Sequence, residues 1–405
     1  ANVFLAVPLT MVGIGVIRLH LLARPHMFTL LFVALAMWLI EKDLEKPTHW
    51  IWALVPLTAL WVNLHGGWVA LVAILVVVSI GAAAEALAGR RDWQVAKRYL
   101  WLAAACGLAS LANPYGLELH RHMGAYLDSK WIHDAVEEFQ APKFRTEGQR
   151  FFEVIMLGAI LAAGVQIRRK RFIMPLLLLF WTHASLTSVR HAPILAILAL
   201  PVLAGGLAWL WNRYMGGFGR GSVAGILNSI GRDMQPSLVK PGVWSVVPIL
   251  FLLTPLAPVQ WPLDLPSGTF PTEFVARHAA IIEPARLLTP DEWADYLLYR
   301  NYPRQRVFLD GRSDFYGERL GREFLRMLTG YHDWDKLLKK HKIDAVMVPP
   351  GTALASLLKL SPEWRLVADS GTENLFVLRG SRPENAAKTL MAGTGTAEDN
   401  RGESQ

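Results

Sequence analysis

Three groups of residues have the types and spacing to do chemistry. The first is cationic and rich in imidazole: Arg24-Pro25-His26, Asn63-Leu64-His65-Gly66-Gly67, Arg121 and Arg190-His191. Gathered on one face, such groups suit a phosphate, because a guanidinium matches its oxygens bidentately. The second group is acidic. Asp134, Glu137 and Glu138 lie in a stretch that also carries Glu118, His120, Arg121, His122 and His133. A carboxylate there is a candidate general base toward an acceptor hydroxyl. The same mixture of His and carboxylate would also suit a divalent metal ion, although its spacing fits no specific metal motif. The third group is Asp291-Glu292-Trp293-Ala294-Asp295-Tyr296, opening a helix, and Val307 to Gly317, leaving a strand through Asp310-Gly311-Arg312. Charged residues at the carboxyl end of a strand, beside a helix N-terminus, line ligand crevices.

Each group has a plainer reading. Arg24-Pro25 suits a helix start, and Gly66-Gly67 lets two helices approach closely. Asn113-Pro114-Tyr115-Gly116 is a turn by its chemistry alone. The acidic stretch reads equally as the solvated face of an amphipathic helix. Asp310 and Arg312 could simply pair and fix their turn. The convergence of Arg24, His26, His65, Arg190 and His191 on one side of the molecule is what favours a site.

That convergence depends on the elements that carry these residues. The chain has 405 residues, 53% of them hydrophobic and only 18% charged, with 16 Trp. Soluble domains carry about 25% charged residues, so lipid solvates part of this one. The long apolar runs fall within residues 1–262, and residues 263–405 have ordinary soluble composition. Eight runs are candidate membrane spans: 1–19, 26–40, 50–64, 67–88, 99–113, 150–167, 172–188 and 191–211, of which 50–64 and 99–113 are short enough to be tilted, half-inserted or packed inside the bundle. A ninth, 243–260, is interrupted by proline. The expected fold is therefore a polytopic α-helical membrane protein of about nine transmembrane helices, with a small C-terminal α/β soluble domain.

Basic residues orient it. Arg90, Arg91, Lys97 and Arg98 occupy one short loop, Arg168 to Arg171 a second, and Arg213, Arg220, Arg232 and Lys240 a third. With nine spans these loops and the 41–49 loop share one side, which the positive-inside rule makes cytoplasmic. The histidine-bearing turns, the 113–149 stretch and the C-terminal domain then face outward from a bacterial inner membrane. The net charge of +8 lies in these loops, which argues against nucleic acid as a partner. The single Cys106 excludes a disulfide within the chain.

The 113–149 stretch is too long for a plain connector. It reads as one or two interfacial helices, with Trp131, Phe139 and Phe144 turned to the membrane. In residues 263–379, strands are expected at Ala285–Leu288, Arg306–Asp310, Ile343–Val348, Trp364–Ala368 and Leu375–Arg379. Helices are expected at 273–282, 291–300, 315–328, 333–341 and 352–360. Residues 380–405, rich in Gly, Glu, Thr and Ala, are expected to be disordered. The chain opens with Ala1 directly in an apolar run, so an N-terminal part of a longer protein is expected to precede it.

Five landmarks together resemble the bacterial membrane glycosyltransferases of the GT-C superfamily: Arg24-Pro25-His26-Met27-Phe28, Asn63 to Gly67, Asn113-Pro114-Tyr115-Gly116, Glu137-Glu138-Phe139 and Val307 to Gly317. The resemblance implies transfer of a sugar from a polyprenyl-phosphate carrier to a lipid, glycan or protein acceptor on the outer side. It implies that Arg24, Arg121 and Arg190, with His26, His65 and His191, hold the carrier phosphate. Glu137, Glu138 or Asp134 would assist the acceptor, and Trp293, Asp295, Tyr296, Asp310 and Arg312 would shape its site. Trp293 to Tyr296 followed by Asp310-Gly311 is similar to the acceptor-reading region of oligosaccharyltransferase catalytic subunits, with Ala294 and Leu297 departing from that pattern. GT-C enzymes place an essential carboxylate in their first outer loop, whereas here that loop offers Arg18, His20, Arg24 and His26. The acid is thus expected upstream of Ala1, or among Glu137, Glu138 and Asp134. The competing reading is a transporter or a glycan-binding scaffold without catalysis. Charge-free span interiors and the lack of an internal repeat disfavour a transporter.

Overall fold

The computed structural model describes residues 3–18, 24–215, 217–218, 221–239, 250–251, 254, 265 and 269–389. The expected ninth span at 243–260, His20 and Lys240 lie essentially outside the described residues, as does the expected boundary at 262. Contacts divide the chain into two units, Ala1–Val246 and Val247–Gln405.

The first unit is helical: α1 (Val3–Ile17), α2 (His26–Glu45), α3 (Leu54–Val62), α4 (Trp68–Leu87), α5 (Trp93–Ala109), α6 (Leu117–Leu127), α7 (Lys130–Ala135), α8 (Glu147–Arg168), α9 (Ile173–Thr187), α10 (Ala192–Met215) and α11 (Val223–Val239). Among the described residues, three helical stretches are long and apolar enough to cross a membrane: Trp68–Leu87, Gly148–Arg168 and Val189–Met215. Val3–Ile17, His49–Val62 and Ile173–Thr187 are apolar but shorter. α4 packs against α5 and α9, and α10 against α1, α8, α9 and α2. Phe32, Trp61, Leu71, Ile74, Tyr99, Leu102, Phe152 and Leu195 fill the core between them. Leu31, Trp38, Leu60, Trp101 and Leu161 remain exposed on the outside, an apolar surface of the kind lipid solvates.

Hydrogen bonds across the unit define two ends. At one, Arg24, Asn63, the segment after Ser110, and Ser188 are tied together. At the other, Asp43, Thr48, Arg98, Glu85 and Phe172 are. The expected 41–49 loop is shorter than the composition suggests, because α2 runs on to Glu45. Its polar last turns stay helical since Asp43 is buried there and binds Arg98 at 2.7 Å and the Tyr99 hydroxyl at 3.0 Å. Thr48 then caps the following short 3-10 turn by accepting from Trp50 N–H.

The 113–149 stretch forms α6 and α7, as helices were expected there, and a 3-10 turn at Glu137–Phe139. Two of its three aromatic residues expected to face the membrane are placed otherwise, and Phe144 is exposed. Trp131 and Phe139 are buried with Ile132 in a small cluster of their own, against which Tyr126 packs. Burying two large rings against each other removes more apolar surface from water than facing them outward. Phe144 stacks on Phe152 with ring centroids 6.0 Å apart.

The second unit is a four-stranded mixed sheet, in the order β1 (Leu287–Leu288), β2 (Ala345–Val348), β4 (Asn374–Leu378), β3 (Trp364–Asp369). β1 runs parallel to β2, and the other pairs are antiparallel. Alternation sorts the side chains onto two faces. Ala345, Met347, Leu375 and Val377 face a layer containing α12 (Thr272–Arg277), α13 (Ala279–Ile282) and α14 (Asp291–Asn301). Val346, Val348 and Phe376 face α15 (Ser313–Leu328), α16 (Trp334–Lys340) and α17 (Ala353–Leu360).

Three expectations for this unit fail. Arg306–Asp310 makes only an isolated bridge, Val307 to Leu287, and forms no strand. The carboxylate of Asp310 instead folds that segment into a turn. The single helix expected at 273–282 breaks at His278 into α12 and α13. Residues 382–389, expected within a disordered tail, are helical. Ala387 is buried against the first layer, and the Glu384 carboxylate accepts from Gly380 N–H at 2.8 Å. Residues 390–405 lie outside the described residues.

Candidate functional site

The site is assembled from four separated segments at one end of the helical unit. Arg24 and His26 begin α2, and His65 lies in the turn between α3 and α4. Glu138 comes from the 3-10 turn after α7, and Arg190 lies between α9 and α10. Asn63 fixes the His65 turn by donating from Nδ2 to Ala59 O at 2.8 Å and to Ala112 O at 2.7 Å.

The imidazole of His65 is oriented by a short relay. Trp61 Nε1–H donates to Thr29 Oγ1 at 3.1 Å, and Gly67 N–H donates to His65 Nδ1 at 3.1 Å. Both of those donors are fixed, so Nδ1 is an acceptor. The Thr29 hydroxyl therefore donates to it, at 2.7 Å. The proton of the neutral ring then resides on Nε2. Gly67 is required here: a Cβ at that position would lie 2.1 Å from Thr29 Oγ1. Burial lowers the pKa of His65 from 6.5 to about 4, and the charges of Arg190 and His26 push it the same way. Glu138 opposes them. At neutral pH His65 is thus a directed hydrogen-bond donor rather than a cation. Its ring centroid lies 6.4 Å from that of His26, in an edge arrangement.

The carboxylate arrives through packing rather than helical geometry. Burial of Phe139 anchors the 3-10 turn. Ser188 Oγ donates to Glu138 O at 2.9 Å, and Val189 N–H to Gln140 O at 3.0 Å. These two bonds lay the strip 138–140 across the 188–191 turn. Glu138 then meets Arg24 Nη1 at 3.0 Å, with both side chains partly exposed. Arg190 is held differently, with its guanidinium carbon 4.3 Å from the centroid of the Phe139 ring. A ring under the flat face leaves the N–H edge of a guanidinium free to donate.

The other expected site residues are placed elsewhere. Arg121 pairs with Glu118 on its own helix. Glu137 is exposed and pairs with Lys143 at 3.3 Å. Asp134 is exposed, and its backbone carbonyl accepts from Gln140 Nε2. His191 Nδ1–H donates to Ala184 O at 3.1 Å, closing the end of α9, and the ring packs near Trp181. His120 is bonded to Ser110 at 2.8 Å and lies against Trp68, their ring centroids 5.1 Å apart and the rings tilted by 57°. Among the described residues, no three His, Cys, Asp or Glu side chains are grouped as a metal ion would need.

In the second unit the expected residues form a closed arrangement. Asp310 is buried and accepts from Arg312 N at 2.9 Å, from Arg312 Nη2 at 2.6 Å and from the Tyr316 hydroxyl at 2.8 Å. Burial alone would raise its pKa, but these bonds outweigh it and hold the carboxyl below its usual value. Asp295 accepts from Gly311 N–H at 3.1 Å, and a Cβ on Gly311 would lie 2.6 Å from its carboxylate. Trp293 and Tyr296 are buried in the first-face core, with Trp293 Nε1 donating to Thr269 O at 3.3 Å.

Reading the sequence alone missed Thr29, Trp61 and Phe139 as parts of the histidine end. Thr29 lies one turn after His26 on α2, a spacing that places the two on one helix face. No comparable signal predicts the Trp61 bond or the ring beneath Arg190, which depend on how the helices pack. The chain matches no model of a known protein family and no curated protein.

Proposed function

We propose that the chain is a membrane glycosyltransferase of the GT-C type, drawing a sugar from a polyprenyl-phosphate carrier. The observation that carries this reading is the meeting of Arg24, His65, Glu138 and Arg190, from four distant segments, at one end of an apolar helical bundle. In this reading α1 to α5 and α8 to α10 span the membrane, and the histidine end faces outward. Arg90, Arg91, Lys97, Arg98 and Arg168 to Arg171 support that orientation. The exposed Trp50, Trp52 and Trp93 near the opposite end suit a membrane–water interface there.

Arg190 is the main carrier-phosphate ligand, because its guanidinium has no carboxylate partner among the described residues. Arg24 joins it when the phosphate draws it from Glu138, and the neutral His65 Nε2–H adds a directed donor. The acceptor oxygen attacks the anomeric carbon as the bond from that carbon to the phosphate oxygen breaks. The bonding pair leaves on the carrier phosphate, where the guanidinium groups stabilise the growing charge. Glu138, released from Arg24, takes the proton of the acceptor hydroxyl. The coupling is economical: the same phosphate that occupies Arg24 frees the base. The carbonyl-side strip 138–140 and the buried Phe139 keep the carboxylate at the site throughout.

The test is binding and transfer of a radiolabelled polyprenyl-phosphate sugar by the full-length protein. Arg190→Ala should weaken binding, and Glu138→Gln should keep binding while losing transfer. Full transfer by both variants would sink the assignment. A non-catalytic scaffold is the second reading, favoured by the closed arrangement around Asp310; it requires binding without transfer in the wild type.

A further inference from the structure

The end of the helical unit opposite the histidines holds a cleft of about 440 Å³, within the range of small-molecule sites. Its floor is apolar, made by Met37, Ile40 and Met174. Its charged lining comes from two directions. Glu41 and Glu45 are supplied by the last turns of α2. Arg90 and Arg91 follow α4, and Arg171 precedes α9. Some of this charge is already used. Arg91 is bonded to the buried Glu85 at 2.8 Å, and Glu45 to Lys42 at 3.3 Å. Glu85 is further committed, accepting from Phe172 N–H at 2.9 Å and Ile173 N–H at 3.3 Å. What remains without an ion-pair partner among the described residues is two guanidinium groups, Arg90 and Arg171, and one carboxylate, Glu41.

We propose that this cleft binds the headgroup of an amino-phospholipid, its phosphodiester between Arg90 and Arg171 and its ammonium on Glu41. The geometry of the unit supports that occupant. Glu41 is fifteen residues along α2 from His26 (about 22 Å at 1.5 Å per residue), most of the roughly 30 Å hydrocarbon thickness, so the cleft lies toward the opposite leaflet. Met37 and Ile40 precede Glu41 on α2, so the apolar part of the lining lies on the side of the cleft toward the middle of that helix. A phosphate alone would leave both Glu41 and the floor unmatched. A headgroup without an ammonium would place its phosphodiester between the arginines and leave Glu41 without a cation. A headgroup carrying both charges satisfies all three groups, and basic pockets of this kind between membrane helices take lipid headgroups. The proposal rests on the reading of this unit as membrane-embedded, and it is independent of any carrier at the histidine end.

The test uses the full-length protein in vesicles of mixed phosphatidylethanolamine and phosphatidylglycerol, extracted gently, with retained lipid quantified by native mass spectrometry. The wild type should retain phosphatidylethanolamine about fivefold over phosphatidylglycerol, the size of effect one close charge contact supplies. The double variant Arg90→Gln with Arg171→Gln should retain about tenfold less lipid, and Glu41→Gln should retain lipid but lose the headgroup preference. All three groups are exposed, so near-UV spectra of the many tryptophans should stay unchanged and report intact folding. Equal retention of the two lipids by the wild type, or unchanged retention in the double variant, overturns the proposal. Displacement of the lipid by inorganic phosphate does so too, since it would show that the cleft reads only an anion. Carrier binding at the histidine end should be unaffected in every variant, which keeps the two tests separate.

Discussion

The two ends of the helical unit use the same kinds of side chain to opposite effect. At the end holding Asp43 and Glu85, each carboxylate is buried and surrounded by donors. Asp43 is 3% exposed and receives Arg98, the Tyr99 hydroxyl and Thr48 N–H. At the histidine end, Glu138 and Arg24 are 42% and 59% exposed and have only each other in that ion pair. Arg190 rests on a ring instead of a carboxylate. A buried ion pair stripped of one partner leaves an uncompensated charge, whereas an exposed pair opens at little cost. The first arrangement is therefore structural and the second is available to a ligand. The pair at Asp310 and Arg312 in the second unit belongs with the first kind.

The comparison can be broken by substitution, and the largest effect should fall on the buried end. Asp43→Ala should destabilise the protein by about 3–5 kcal/mol, because Arg98 and Tyr99 lose their shared acceptor inside the bundle. Thermal unfolding in detergent checks this; a change under about 1 kcal/mol would put Asp43 with the exposed kind. Arg190→Ala should do the reverse, lowering carrier binding by about tenfold or more while leaving the unfolding temperature nearly unchanged. A matching loss of stability would mean that the guanidinium on Phe139 is structural.

Two smaller effects sharpen the distinction by pH. The lowered pKa of Asp310 stabilises the second unit above the usual carboxylate range, and that contribution is lost as pH falls through it. Hydrogen exchange at Arg312 N–H, which Asp310 holds, should therefore lose protection below about pH 4, and Asp310→Asn should remove the step. His65 carries the same sign in a higher pH window. Its pKa falls from 6.5 unfolded to about 4 folded, so the unfolded chain binds the extra proton between those values. Stability should decline as pH drops from about 6.5 toward 4, and His65→Gln should flatten that decline. The smallest effect belongs to the Arg24–Glu138 pair. A double-mutant cycle on unfolding should give a coupling of only about 0–1 kcal/mol, even where each single variant alters transfer strongly.

Much of the fold was legible in the chain because hydrophobic length and period are local properties. The runs that become α4, α8 and α10, the alternation in β2 and β4, and the helix signals at Asp291 and Thr352 are all visible residue by residue. The failures have local physical causes. α2 continues past its apolar run because Asp43 finds partners 55 and 56 residues away. Arg306–Asp310 has strand composition, yet its last residue turns the chain by gathering Arg312 and Tyr316.

The candidate site divides in the same way. Residue type marked Arg24, His65, Glu138 and Arg190 as capable of chemistry, since guanidinium, imidazole and carboxylate groups keep that capacity wherever they lie. Tertiary structure decided which of them meet. It separated Arg121, Glu137 and Asp134 from the cluster, and it made His65 a neutral donor, burial setting its charge and Thr29 and Gly67 its tautomer. The sequence alone determined two units, one with helices apolar enough for lipid and one with the alternation of a sheet, because water and lipid act on each side chain where it stands. Only the packing of distant segments decided charge state, partner and exposure, because those depend on neighbours that the linear order does not name.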